Sequence, residues 1–129
     1  MKLGIPKETL AGERRVAMTP EVAQRLVKQG FEVLIETGAG EAAHFTDAAY
    51  AEVGATLSER AACLAADLIL KVRRPSEEEA AAIGDGRILI CLLESCGEDA
   101  LVEELRERGV RVMAMERIPR ISRAQSMDA

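Results

Sequence analysis

Residues 68–93 read LILKVRRPSEEEAAAIGDGRILICLL, and this segment carries the clearest structural pattern in the chain. Its two ends, 68–72 and 87–93, are apolar runs of strand length, as expected for central strands buried on both faces of a sheet. Residues 77–83 between them form a glutamate-rich helical segment that ends at Gly84. A strand, a helix and a second strand in this order predict a βαβ unit of a parallel sheet.

The same alternation continues in both directions along the chain. Thr19 is a suitable N-cap, Pro20 fits the first helical position, and Gly30 stops this helix, whose buried stripe we expect to include Val22. The other predicted strands are 3–5, 31–36 and 110–115, and the other predicted helices are 47–53, 58–65 and 98–108. This pattern predicts an α/β fold with an open, mostly parallel sheet of about five strands and helices on both faces, flavodoxin-like or Rossmann-like. Residues 1–129 are expected to form a single domain.

Composition excludes several classes of function. The chain has 129 residues, a net charge of −5, and basic residues interleaved with acidic ones, so we do not expect nucleic-acid binding. No apolar stretch approaches the roughly 20 residues of a membrane span, so we expect a soluble, cytosolic piece without direct membrane insertion. The sequence has no C-x-x-C pair among its three cysteines, Cys63, Cys91 and Cys96, and no residues have metal-ligand spacing. We therefore predict no metal and no catalytic cysteine.

The last residues, 119–129, combine cationic, amide and acidic groups in a short space. Ser122 and Gln125 have the spacing of a capping box, which predicts a helix start there. Gln125 and Asp128 then lie on one helix face, and Arg120 precedes the free amide donors of the first turn. This set can hold a polar, partly anionic ligand. Alternatively, Ser122 and Gln125 only cap the helix, and Arg120 and Asp128 are solvated charges.

Two further cations are candidate cleft residues. Arg15 lies in the loop after the first strand, and Arg73 lies at the end of the strand that begins at Leu68. Ligands of open parallel sheets bind at these strand ends. The alternative is that Arg15 only pairs locally with Glu13, and that Lys71 and Arg73 belong to a row of solvated basic tips.

Residues 38–43, GAGEAA, fit the pattern G-x-G-x-x-A of dinucleotide phosphate loops. Glu41 would place a carboxylate beside the pyrophosphate, and a loop rather than a helix N-terminus follows at His44. We therefore expect the glycines to serve a tight turn.

The tail resembles the P-R-I-S-R-A-Q-x-x-D run of the alpha subunits of proton-translocating NAD(P) transhydrogenases. Four further blocks resemble that family in the same order: residues 4–8 (GIPKE), 13–20 (ERRVAMTP), 36–40 (ETGAG) and 70–75 (LKVRRP). These four blocks are equally similar to the alanine dehydrogenases, which share the N-terminal domain. Only the tail therefore distinguishes the transhydrogenases from the alanine dehydrogenases. The alanine dehydrogenase pattern also has a histidine where this chain reads Leu92-Leu93-Glu94-Ser95. It has a lysine where this chain has Arg73, and an arginine cannot transfer protons as a lysine does.

The resemblance implies roles for the tail and for the whole protein. Gln125 and Asp128 would be the catalytic positioning residues, fixing the nicotinamide carboxamide. Arg120, with Ile121 and Ser122, would help to bind the cofactor. The chain would be the N-terminal portion of a two-domain NAD(H)-binding unit, whose dinucleotide-binding domain lies beyond residue 129.

The resemblance further implies an oxidoreductase that transfers a hydride between NAD(H) here and NADP(H) on a separate domain, coupled to proton translocation. Its partners would be the membrane and NADP(H)-binding subunits, and we expect a homodimer. The protein would be cytoplasmic and peripheral at the inner face of the plasma membrane. The alternatives are an alanine or saccharopine dehydrogenase relative, a receiver-like signalling module, which would need an acidic cluster after strand one, and an inactive truncated fragment.

Overall fold

A computed structural model describes residues 1–94 and 99–117. The strands in these residues are β1 (Lys2–Ile5), β2 (Glu32–Glu36), β3 (Thr56–Ser58), β4 (Leu68–Arg73), β5 (Ile88–Leu92) and β6 (Arg111–Ala114). The α-helices are α1 (Pro20–Lys28), α2 (Asp47–Glu52), α3 (Arg60–Leu64), α4 (Glu77–Ala82) and α5 (Ala100–Glu107). Two short 3-10 turns cover Glu41–Ala43 and Met115–Arg117.

The strands form one parallel sheet in the order β3-β2-β1-β4-β5-β6. This is the strand order of doubly wound nucleotide-binding folds, so the predicted fold class is confirmed. The chain leaves β1 in one direction towards β3 and in the other towards β6, which makes the β1–β4 junction the topological switch point. We call the edge formed by the carboxyl ends of these strands the carboxyl edge.

Helices cover both faces because crossovers between parallel strands are right-handed, and reversing the direction of winding reverses the covered face. On one side, α1 packs on β2 and α2 on β3, around a core that includes Ile5, Val33 and Tyr50. On the other side, α3, α4 and α5 contact one another in a row above Ile69 and Leu89. In the described residues, no helix is long and apolar enough to cross a membrane.

Helix α1 shows how local sequence sets an element, and where one expectation was wrong. The Thr19 hydroxyl accepts a hydrogen bond of 3.3 Å from the amide of Val22, and Pro20 is the first helical residue, as predicted. Val22 is 41% exposed, however, whereas Ala23 is fully buried. The core-facing stripe is Ala23, which is buried, with Leu26 and Val27, which are partly buried and pack against the same core.

Strand β3 was not predicted. Residues 56–58 contain a single large apolar side chain, Leu57, and the sequence pattern assigned Ser58 to the start of the following helix. The strand forms by pairing with β2, from Leu34 opposite Thr56 to Glu36 opposite Ser58, so its hydrogen bonds come from tertiary context. Helix α3 consequently begins later, at Arg60.

Candidate functional site

The topological switch point is built around the carboxylate of Glu8, which follows β1. Its Oε2 accepts a hydrogen bond of 2.8 Å from the amide of Val72, and its Oε1 accepts one of 3.0 Å from the amide of Arg73. The pairing of β4 with β5 shifts by one residue between Leu70 and Arg73, so this part of β4 is bulged. Glu8 thus takes the amide donors at the end of β4, where open sheets bind ligands.

A buried ion cluster lies beside these hydrogen bonds. The ammonium nitrogen of Lys71 is 3.3 Å from Glu8 Oε1 and 3.4 Å from Glu79 Oε2, and the Lys71 side chain is 1% exposed. Glu79 also closes a capping box with Ser76 at the start of α4, which fixes its carboxylate. The alternative that Lys71 is a solvated basic tip is therefore wrong, because its charge is compensated by two buried carboxylates.

The two arginines predicted as cleft residues meet at one carboxylate. Glu13 accepts hydrogen bonds of 3.0 and 2.7 Å from the Arg15 guanidinium, and one of 2.8 Å from Nε of Arg73. The Glu13 side chain is only 4% exposed. Hydrogen bonds from Arg15, and a further one from Arg73, hold the pKa of Glu13 well below its ordinary value. The structure thus brings Arg15 and Arg73 together, and it also shows the local Glu13–Arg15 pair.

Glu94 supplies a second carboxylate to Arg73. Its Oε1 accepts a hydrogen bond from Nη1 of Arg73, and its side chain is 54% exposed. The backbone of Glu94 has a φ of 53°, a left-handed conformation that is uncommon for a residue other than glycine. Glu116 fixes this turn after β5, because its carboxylate accepts hydrogen bonds of 3.1 and 2.7 Å from the amides of Leu93 and Glu94.

The same arrangement recurs on the other side of the switch point. The carboxylate of Glu36, at the end of β2, accepts a hydrogen bond of 3.0 Å from the amide of Lys7. Asp47 accepts one of 2.8 Å from the amide of Gly38 in the loop that follows β2. Internal carboxylates therefore occupy amide donors along much of the carboxyl edge. These donors are the groups with which such sheets usually bind phosphates.

Two of the cavities lined by described residues open near Lys71. One, of about 590 Å³, is lined by Glu8, Lys71 and Arg73, together with residues of the α4 and α5 starts. Within it, Arg74 forms a bidentate pair with Asp99 at 2.7 and 2.8 Å. The other cavity, of about 400 Å³, is mainly apolar and is lined by Arg15, Val16, Ala17, Leu70, Lys71, Val72, Ile90, Leu92 and Met115. Within the described ranges, no group of three or more histidine, cysteine or acidic residues could hold a metal ion.

The glycine-rich loop after β2 has a local structural role. Gly38 has a φ of +84°, and a side chain at Gly40 would overlap the Tyr50 ring. A 3-10 turn of three residues follows instead of an α-helix. This geometry agrees with a tight turn, and His44 lies at its end, away from both cavities.

The predicted tail residues Arg120, Ile121, Ser122, Gln125 and Asp128 lie outside the described residues, as does Cys96. Their roles stay predictions. Sequence reasoning missed the Glu8–Lys71–Glu79 cluster, although one signal was present. A lysine inside an apolar run predicted to be buried on both faces requires buried partners.

Comparison with known proteins places this geometry in a family. Residues 4–129 match the model of the alanine dehydrogenase/PNT N-terminal domain. The chain is 47% identical over its whole length to an NAD(P) transhydrogenase subunit alpha of Cereibacter sphaeroides, of which it covers 25%. It is 40% identical over 92% of its length to an alanine dehydrogenase of Halomonas elongata, of which it covers 32%.

A solved structure agrees with these matches. The fold superimposes on the crystal structure of a transhydrogenase from Sinorhizobium meliloti with a TM-score of 0.91, at 38% identity, covering 99% of this chain and 39% of that one. The chain thus spans between a quarter and two fifths of the length of these relatives. It belongs to the alanine dehydrogenase/PNT N-terminal domain family, a family of nicotinamide-nucleotide oxidoreductases.

Proposed function

We propose that this chain is the N-terminal part of the NAD(H)-binding domain of a proton-translocating NAD(P) transhydrogenase alpha subunit. The observation that carries the proposal is the 47% identity to such a subunit over the full length of the chain. The complete enzyme would transfer a hydride between NAD(H) on this unit and NADP(H) on a separate domain, coupled to proton translocation. The nicotinamide rings supply the hydride chemistry, so the chain's task is orientation.

The charges at the carboxyl edge support a position at the nicotinamide end of the cofactor. Glu8, Glu36 and Glu116 occupy backbone amides that a pyrophosphate would otherwise use. The nicotinamide end has no phosphate, and its ring is cationic in NAD⁺, so it is compatible with this edge. The pyrophosphate and adenosine would then be held by a following dinucleotide-binding domain.

The apolar cavity beside Arg15 supports the same assignment. It offers an aliphatic surface, from Leu70, Ile90 and Leu92, next to a guanidinium paired with Glu13. Such a surface fits the flat face of a nicotinamide ring or an apolar segment of the same protein. Arg15 would act at this cavity, and Arg73 at the neighbouring one, through electrostatics and positioning.

The tail residues would complete the cleft. Gln125 and Asp128 would align the nicotinamide carboxamide, and Arg120 would bind the cofactor together with Ile121 and Ser122. This part of the proposal depends on the resemblance of the tail to the transhydrogenase motif. The proposed assembly includes the membrane and NADP(H)-binding subunits and a second copy of this subunit, at the inner face of the plasma membrane.

The decisive experiment is Gln125→Ala in a full-length alpha subunit carrying this sequence, combined with the NADP(H)-binding partner that exchanges the hydride. We expect the single-turnover rate of hydride transfer to fall about 100-fold with little change in NADH affinity, because misalignment affects the approach of donor to acceptor. Gln24→Ala, on the exposed face of α1, is the matched control and should leave the rate unchanged. An unchanged rate with a lower melting temperature would leave Gln125 as a capping residue only.

Two further results bear on the proposal. Arg120→Ala should weaken NADH binding as well as slow transfer. The isolated 129-residue chain should transfer no measurable hydride from NADH to an oxidised nicotinamide analogue, because half of the proposed cleft is absent from it. Turnover by the isolated chain would contradict the proposed division of the cofactor site.

The second candidate is an amino-acid dehydrogenase, favoured by the 40% identity to an alanine dehydrogenase. Against it, Arg73 cannot transfer protons at neutral pH, and it is paired with Glu13 and Glu94. Oxidation of NADH that depends on pyruvate and ammonium by the full-length protein would support this candidate. Transfer to an oxidised NADP⁺ analogue without these substrates would support the transhydrogenase.

A further inference from the structure

The Arg73 guanidinium has two internal carboxylate partners on different sides. Its Nε donates to Glu13 at 2.8 Å, and its Nη1 donates to Glu94. A guanidinium can bind carboxylates through several N–H groups at once. With Glu94 in place, the Nη1 position facing the carboxyl edge is already filled by a negative charge.

The backbone holds Glu94 in this position at some cost. A φ of 53° is unfavourable for a residue with a side chain, and such conformations persist only where the surroundings enforce them. Here the Glu116 carboxylate binds the amides of Leu93 and Glu94 and fixes the turn. The turn therefore presents a carboxylate to Arg73 even though a glycine would adopt the same backbone more easily.

We propose that Glu94 determines ligand specificity by occupying the anion position at Arg73, so that free small carboxylates are excluded from this guanidinium. A tethered carboxylate acts at a high effective concentration, so a dissolved anion must displace it to bind. Glu8, Glu13 and Glu116 accept hydrogen bonds from the same guanidinium or from adjacent amides, so these neighbouring donors are also taken. Removing the Glu94 carboxylate should convert Arg73 into an anion-binding group.

The test uses the 129-residue chain without any nucleotide, so it does not depend on the hydride-transfer proposal. Oxalate is titrated at constant ionic strength into the wild type, Glu94→Ala and Glu94→Gln, while the Nε–H signals of Arg15 and Arg73 are followed by NMR. Ala vacates the position, and Gln keeps the shape but removes the charge. Glu52→Gln, an exposed site on α2, controls for the change in net charge.

We expect Glu94→Ala to bind oxalate at least about tenfold more tightly than the wild type, the effect of one charge-assisted hydrogen bond. Glu94→Gln should show a smaller gain in the same direction, and Glu52→Gln none. Equal oxalate affinity in the wild type and both Glu94 variants would overturn the proposal. Unfolding of both variants, seen by circular dichroism, would also contradict it, because a residue that only excludes anions is not required for folding.

Discussion

Replacing Lys71 with methionine tests whether the buried cluster is an essential charge balance. The substitution keeps the length of the side chain and removes the ammonium group between Glu8 and Glu79. Both carboxylates are nearly inaccessible to water, so the solvent cannot compensate for the loss. Glu8 retains two amide donors, whereas Glu79 Oε2 makes no hydrogen bond with any described residue and loses the ammonium group that lies 3.4 Å away.

Removing one partner of a buried ion pair typically costs about 3–5 kcal/mol. With a urea slope of about 2 kcal/mol per molar for a domain of this size, the unfolding midpoint should fall by about 2 M. Total stability is usually about 5–15 kcal/mol, so this single change removes a large part of it.

The assay is urea unfolding at pH 7, followed by circular dichroism. Lys28→Met, on the exposed end of α1, is the same substitution without burial and should change the free energy of unfolding by less than about 0.5 kcal/mol. Adding Glu79→Gln to Lys71→Met should recover part of the loss, because it removes the uncompensated charge. A Lys71→Met variant within about 1 kcal/mol of the wild type, or a double variant no better than the single one, would refute the reasoning.

Three further predictions concern other parts of the fold. Because the pKa of Glu13 is lowered in the folded state, its carboxylate stabilises the fold above its ordinary pKa and ceases to do so as the pH falls. Glu13→Gln should therefore lower the free energy of unfolding by about 1–3 kcal/mol at pH 7. In urea unfolding at several pH values, the difference between the variant and the wild type should shrink below about pH 4. Burial raises the pKa of Cys63 to about 11 and that of Cys91 to about 12. In a Cys96→Ala background, iodoacetamide at pH 8 should therefore label these two thiols at least about 100-fold more slowly in the native chain than in the urea-unfolded chain. Rapid labelling of the native chain would contradict the burial of Cys63 and Cys91. Gly4→Ala places a methyl group 1.9 Å from the backbone oxygen of Cys63. The free energy of unfolding, measured by thermal unfolding, should therefore fall by about 3 kcal/mol or more. A smaller decrease would mean that α3 can move away from β1.

Much of the fold could be predicted because its signals are local. The apolar runs at β4 and β5 are bounded by charged residues and by Gly84 and Gly86, so their position depends little on the rest of the chain. Strand β3 has no such signal, since its one large apolar residue, Leu57, is 38% exposed, and it exists through pairing with β2. Edge strands of this kind depend on tertiary contacts that a local pattern does not contain.

The site could be predicted only in part, because its contacts join residues far apart in sequence. Arg15 and Arg73 could be placed at the same edge from strand topology alone. Their shared partner Glu13 could not be predicted, because this contact depends on how the loop after β1 folds back over β4. The bulge in β4 between Leu70 and Arg73 also breaks the simple alternation of side chains on which a prediction for Lys71 would rest.

The strand order of this fold would by itself indicate a nucleotide phosphate site after β1, and the residues at that position argue against one. Dinucleotide-binding folds place glycines and free amides there, whereas this chain places Glu8, whose carboxylate already binds the amides of Val72 and Arg73. A phosphate would have to displace a buried carboxylate that also neutralises Lys71, so it would lose more interactions than it gained. The same sheet order can therefore serve different ligands, and here the Glu8 carboxylate takes the amide donors that a phosphate would need.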